Sequence, residues 1–285
     1  MIQSMTGFGK HVIQLPSKKI TVELKSLNSK SLDLNARMPS TYREKELEMR
    51  KTIANSLVRG KIDFNLYVEI TGDETTSKVN EGAVRQYMKQ LRTIADGDDV
   101  HLLEMALRLP DTLKTERDDL DPEEYKTIRQ ALTAALTEIN SFRSEEGNVL
   151  ERDFLARLQN LSTLLEQVVQ MDPERISGIR ERLEKAVADL KTEVDANRFE
   201  QELIYYLEKF DITEEKVRLA NHLEYFKSTL QSEDSNGKKL GFISQEIGRE
   251  INTIGSKANY APMQQLVVQM KDELEKIKEQ MLNVL

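Results

Sequence analysis

No cysteine occurs in the 285 residues, which excludes disulfides and thiolate metal sites and suits a reducing compartment. Tryptophan is absent and aromatics make up only 6%. With a back half dense in Leu, Glu, Lys and Arg, that balance belongs to long helices more than to a sheet sandwich. No stretch approaches the roughly 18 consecutive apolar residues of a membrane span. The first nine residues lack the charged and apolar regions of a signal peptide, so the chain is expected to be soluble and cytoplasmic. Residues 5–9 contain Gly7-Phe8-Gly9 but not the further Gly and Lys-Ser/Thr of a triphosphate cradle. They read instead as a strand with close backbone approach at two glycines. Serine nucleophile elbows and aromatic ribonucleoprotein strand motifs are missing too.

What is present is charge, unevenly placed. The net charge is −8, which at first sight disfavours a polyanionic partner. Residues 1–70 nevertheless carry +5, leaving −13 for the remainder. A basic surface on an acidic body suits either a polyanion or docking between subunits.

The chain is expected to be α+β, with three parts. Residues 1–120 read as an N-terminal antiparallel-sheet domain with packed helices. Strands are expected over 2–15, 18–36 and 62–70, the last antiparallel to the second, from the alternation of Ile20, Val22 and Leu24 with polar neighbours. A helix capped from Ser40 or Thr41, with Glu44 completing a capping box, runs to about residue 57, and further helices span 81–95 and 102–109. Residues 121–198 read as a long helical hairpin or coiled-coil arm. Its core-facing row runs Tyr125, Ile128, Leu132, Leu136, Ile139 and Phe142 and continues through Leu150 to Val168. Asp172-Pro173 breaks it, and a returning helix carries Ile176 to Val194. Residues 199–285 read as a helical domain: one helix from Asp211 to Leu230, a polar loop over 232–239, an acidic helix, a turn over 255–262 and a last helix.

In the acidic helix, Leu240, Ile243, Ile247, Ile251 and Ile254 form a buried stripe, and Glu246 and Glu250 stack one turn apart beside it. Such a row is either a solvated face or a site. If this helix packs against the preceding one, Glu215, His222, Glu246 and Glu250 could share a metal, and oxygen donors with one imidazole suit Mn²⁺ or Mg²⁺ better than Zn²⁺. Arg249 and Lys257 would then contact phosphate. His222 could equally be a packed interfacial histidine.

Several runs together resemble the YicC/YloC endoribonucleases. Residues 4–9, 22–28 with Leu32-Asp33, and Arg59-Gly60-Lys61 are similar to the N-terminal signature of that family. Residues 107–110 and 143–147 resemble its middle. Glu214-Glu215, Arg218-Leu219, His222-Leu223, Gln245-Glu246, Arg249-Glu250, Asn252-Thr253 and residues 255–257 resemble its C-terminal domain. The resemblance implies a metal-dependent endoribonuclease, stimulated by Mn or Mg, that cuts RNA internally. It also implies a homo-oligomer, a hexamer, clamping RNA in a channel, and a role in bacterial RNA turnover. It assigns His222, Glu246 and Glu250 to the catalytic or metal site, and Arg249, Lys257 and the basic N-terminal residues Lys25, Lys30, Arg37, Arg59 and Lys61 to RNA. The chain departs from the family pattern at Ser29 (usually His), Gly241 (Asp), Gly248 (Asn) and Tyr260 (acidic). Alternative readings are a non-catalytic RNA-binding adaptor and a coiled-coil assembly protein.

Overall fold

A computed structural model describes residues 2–71, 78–94, 96–114, 121–189, 195–232 and 237–285. Strands β1 (Gly7–Gln14), β2 (Lys18–Leu27), β3 (Leu32–Arg37) and β4 (Gly60–Ile70) form a sheet in the order β1-β2-β4-β3. Pro16-Ser17 make the β1–β2 turn, closed by Leu15 N–H donating to Lys18 O at 2.7 Å. β2 lies antiparallel to β4 as expected, but the stretch 18–36 is two strands, and β3 pairs parallel to β4. The sheet is therefore mixed, not antiparallel. The reason is helix α1 (Glu46–Leu57), which carries the chain across between β3 and β4 and returns it in the same direction.

Alternation sorts each strand into two faces. Ile20, Val22, Leu24, Ile62, Phe64 and Leu66 face a core closed by Met49, Ile53 and Leu57 of α1 and by Ile128 to Ile139 of α4 (Pro122–Asp189). Paired residues share a side, so Lys25, Lys61 and Arg37 all lie on the opposite, outer face. The close approach at Gly7 and Gly9 is present: a Cβ on Gly9 would stand 2.2 Å from Ala135 O, and one on Gly7 2.9 Å from Ile139 Cγ1.

The helix start at Ser40–Thr41 differs from expectation. Residues 40–45 form a 3-10 turn with no side-chain cap bond, and α1 begins only at Glu46. Buried Tyr42 holds this turn instead, donating its hydroxyl to Glu124 of α4. Short strands β5 (Lys78–Val79) and β6 (Leu113–Lys114) pair around helices α2 (Glu81–Ile94) and α3 (Asp99–Leu107). The end of the expected helix at Ala95 falls outside the described residues.

The long arm is corrected in two ways. First, α4 is one helix of 68 residues that passes through Pro173. Proline removes one backbone bond there, but packing holds both sides of it. Leu165, Val168 and Ile179 are buried, and the buried Arg175 donates from Nε to Asp172 at 2.8 Å and from Nη2 to Phe210 O at 2.9 Å. The return leg is α5 (Ala196–Lys209); Leu190 and Val194 lie outside the described residues. Second, the inward row of α4 does not include Phe142, which is 46% exposed; Arg143, at 1%, takes the inward place, followed by Gly147.

α4 joins two cores. Its residues Leu150 to Val168 pack against α6 (Thr213–Gln231), α7 (Gly237–Lys257) and α8 (Ala261–Met281). The acidic helix thus starts at Gly237, inside the expected loop, and ends at Lys257, leaving a short turn before α8. The chain ends meet: Met5 N–H donates to Asn283 O at 2.8 Å and Leu285 N–H to Gln3 O at 2.9 Å.

Candidate functional site

The outer sheet face and its adjoining loops carry the N-terminal basic residues. Lys25, Lys30, Arg37 and Lys61 are exposed, and Arg59 is half-buried. Lys25 pairs with Glu23 at 2.9 Å, and its Nζ stands 5.7 Å from the centroid of the exposed Phe8 ring. The hydrogen bond and charge of Glu23 raise the Lys25 pKa. Arg59 donates from Nε to Ser29 O at 2.9 Å, so the serine departure sits directly against a basic residue. Lys30, Arg37 and Lys61 make no ion pair among the described residues. Cations exposed and unneutralised in this way are what a phosphate backbone requires.

On the C-terminal side, α6 and α7 pack as an antiparallel hairpin. Their stripes meet along Leu219, Leu223, Phe226 and Leu230 on one helix and Ile243, Ile247, Ile251 and Ile254 on the other. Lys257 Nζ, in the last turn of α7, reaches Glu215 Oε1 at 2.8 Å and Asp211 O at 2.9 Å in the approach to α6. This contact sets the register. His222 and Glu250 each lie seven residues, roughly 10 Å, from the ion pair, so they come level on the two helices. His222 is half-buried and Glu250 buried, and neither has a hydrogen-bond or ion-pair partner among the described residues.

The remaining candidates are engaged otherwise. Lys257 is part of the helix packing through Glu215. Glu246 accepts from Arg249 Nη1 at 2.7 Å on the exposed side of α7. No group of three His, Asp or Glu that could hold a metal gathers among the described residues, so the four expected ligands do not form one cage. Glu250, buried and without a partner, is the carboxylate that suits a hard cation such as Mg²⁺, which takes one or two carboxylates and completes its shell with water and substrate phosphate.

Sequence reasoning missed a second ionic group beneath the first. Asp172 of α4 accepts from Lys216 Nζ at 2.6 Å as well as from Arg175, tying α4 beside Pro173 to the first turn of α6. The available signal was the polar pair Asp172 and Arg175 continuing an otherwise apolar inward row. Asp211 was expected to cap α6. The N-cap position is instead Ile212, without a side-chain cap bond, and Asp211 stands one residue before it, accepting from Thr213 N–H at 3.1 Å and Thr213 Oγ1 at 2.7 Å. Those bonds, the Thr213 hydroxyl first, hold the Asp211 carboxyl below its ordinary pKa.

The sequence that folds into this sheet, long helix and helical body matches a known family over most of its length. Residues 2–152 match the endoribonuclease YicC-like N-terminal region, and residues 168–285 match the endoribonuclease YicC-like C-terminal part. The chain belongs to the YicC-like endoribonuclease family. A protein of Clostridioides difficile named probable endoribonuclease YicC is 34% identical over 293 residues, covering 100% of both chains. One of the same name from Haemophilus influenzae is 29% identical, again over 100% of each.

Proposed function

We propose that this chain is an endoribonuclease that cuts RNA internally with the help of a divalent cation, Mn²⁺ or Mg²⁺. It would act in the cytoplasm as a homo-oligomer, a hexamer whose subunits clamp RNA in a channel. The observation that carries the reading is the full-length likeness, in order and across both regions, to relatives named probable endoribonuclease YicC. Among the described residues no helix is long and apolar enough to cross a membrane.

The roles follow from the chemistry on each side. Lys25, Lys30, Arg37, Arg59 and Lys61 hold the phosphate backbone without reading sequence. Arg249, exposed beside Glu246, can turn its guanidinium onto a phosphate oxygen. His222 is the imidazole that moves a proton at the scissile phosphate, and Glu250, buried and unpaired, is the carboxylate level with it on the neighbouring helix. When bound there, the cation would neutralise charge on the phosphoryl oxygens and acidify water. Glu215, Glu246 and Lys257 support the hairpin and its outer face.

One observation favours the adaptor reading instead: Glu215 and Glu246 already have cationic partners, which leaves few free carboxylates. A short end-labelled RNA hairpin, incubated with the purified protein and Mn²⁺ or EDTA, separates the two. Internal cuts that require the cation support the nuclease; binding without cuts under either condition supports the adaptor. The mass of the protein in solution at low and high salt tests the hexamer.

A further inference from the structure

Arg143 is a charged side chain inside a core with no acid beside it. Only 1% of it is exposed, and no carboxylate pairs with it among the described residues. Its guanidinium instead reaches backbone. Nη1 donates to Leu57 O at 3.3 Å, and Nη2 donates to Met5 O at 3.3 Å, Arg59 O at 3.2 Å and Ser26 Oγ at 2.5 Å. Ser26 in turn donates to Met5 O at 2.7 Å. Nε is buried without a partner. Burial lowers its pKa, yet a guanidinium stays protonated at working pH. A buried charge with no counter-ion is costly, and here only its bonds to carbonyls and to Ser26 offset that cost.

What it holds is a strained turn. α1 ends at Leu57, and Val58 follows with φ 50° and ψ −50°. Arg59 N–H donates back to Leu57 O, closing a γ-turn of the rare positive-φ kind, which a β-branched residue resists. The two carbonyls that flank Val58, those of Leu57 and Arg59, are among the three Arg143 grips, the third being Met5 O. Gly60 comes next with φ 127°, and a Cβ there would stand 2.9 Å from Ser26 Oγ and 3.3 Å from Arg143 Nη2. The glycine therefore admits the guanidinium beneath the turn. The turn delivers two basic residues: Arg59, whose side chain reaches Ser29 O at 2.9 Å, and Lys61, on the outer sheet face.

We propose that Arg143 is a positioning residue for RNA: from inside the core it fixes the turn Leu57–Gly60 so that Arg59 meets a phosphate. This rests on the RNA-binding reading of Arg59. Lysine is a poor replacement here: its donors all radiate from one nitrogen, whereas Arg143 reaches Leu57 O and Arg59 O from two separate nitrogens of a planar fork.

The test is binding of a labelled single-stranded RNA oligonucleotide, in EDTA, across a range of KCl. The proteins are wild type, Arg59→Ala, Arg143→Lys and the double variant, each checked for folding by thermal melt. Losing one phosphate contact flattens the slope of log K against log salt by about 0.7 for a single strand. The expected result is that flattening in Arg59→Ala, the same in a folded Arg143→Lys, and no further loss in the double variant. A merely structural role would lower the melting temperature and leave the slope alone. A wild-type slope in Arg143→Lys, or additive losses in the double variant, overturns the positioning role while leaving Arg59 on RNA. A wild-type slope in Arg59→Ala overturns the RNA assignment itself, and the proposal with it. If Arg143→Lys does not fold, Arg143→Met removes the buried charge together with its bonds to the turn while keeping much of the side-chain volume. A flattened slope there supports the proposal and a wild-type slope overturns it.

Discussion

Lys257 and Glu215 form a 2.8 Å ion pair that locks the end of α7 to the start of α6, with the Glu215 side chain only 7% exposed and that of Lys257 32%. Glu215 Oε2 is buried and has no hydrogen bond, so the carboxylate depends on this one cation. Lys257→Met should therefore destabilise the fold by about 2–3 kcal/mol, below the range for a fully buried pair because Lys257 is partly exposed. Replacing both residues with Met should cost less than replacing Lys257 alone. Urea unfolding of the three variants checks this; equal stability of Lys257→Met and wild type would contradict it.

Gly9 lies against α4 with no room for a side chain. A Cβ would meet Ala135 O at 2.2 Å and Ile139 N at 2.9 Å, both backbone atoms that cannot rotate away. Gly9→Ala should lower stability by about 1–3 kcal/mol or more, as overpacking does, while Gly82→Ala, with its nearest atom at 3.6 Å, should not. Paired thermal melts decide it.

On the outer sheet face, Lys61 and Arg37 act independently of the core. Lys61→Ala and Arg37→Ala should each flatten the salt dependence of RNA binding by about 0.7 in slope and leave the melting temperature unchanged. Anisotropy titrations across KCl concentrations provide the measurement, and unaltered slopes would remove the sheet face from the RNA path.

Asp211 supplies a pH dependence. Its folded pKa is depressed, by the Thr213 hydroxyl first, so the stability it adds is fully present above its unfolded value of about 3.9. That stability is lost as pH falls through the lower folded value. Asp211→Ala should cost about 0.5–1 kcal/mol at neutral pH, because the group is exposed and screened. The gap should narrow as pH falls below about 4. Chemical unfolding of both proteins from neutral pH downwards should show the curves converging at the acid end; a constant gap would contradict the assignment.

The alternation of Ile20, Val22 and Leu24, the antiparallel β2–β4 pair, the two close-approach glycines and the isoleucine stripe of α7 were all legible in the sequence, because each follows from a local period. The parallel β3–β4 pair was not, since only the crossover through α1 sets it. Pro173 misled because a local rule lost to packing: Leu165, Val168, Arg175 and Ile179 are buried on either side of it, and α4 continues through it. Phe142 misled in the same way. Hydrophobicity favoured it, but the spacing from Ile139 points four residues on to Arg143, and spacing prevailed. In the candidate site, His222 and Glu250 were readable as helix positions. That Lys257 would be committed to Glu215 depended on hairpin register, which no single helix encodes.

The most direct test of the account is Glu250→Gln, examined for RNA cleavage with Mn²⁺ and, separately, for RNA binding in EDTA. Glu250 is buried with no partner, so the amide keeps its shape and removes only the negative charge. The account predicts wild-type binding with cleavage reduced on the order of a hundredfold or more. Cleavage at the wild-type rate would place the chemistry elsewhere and contradict it.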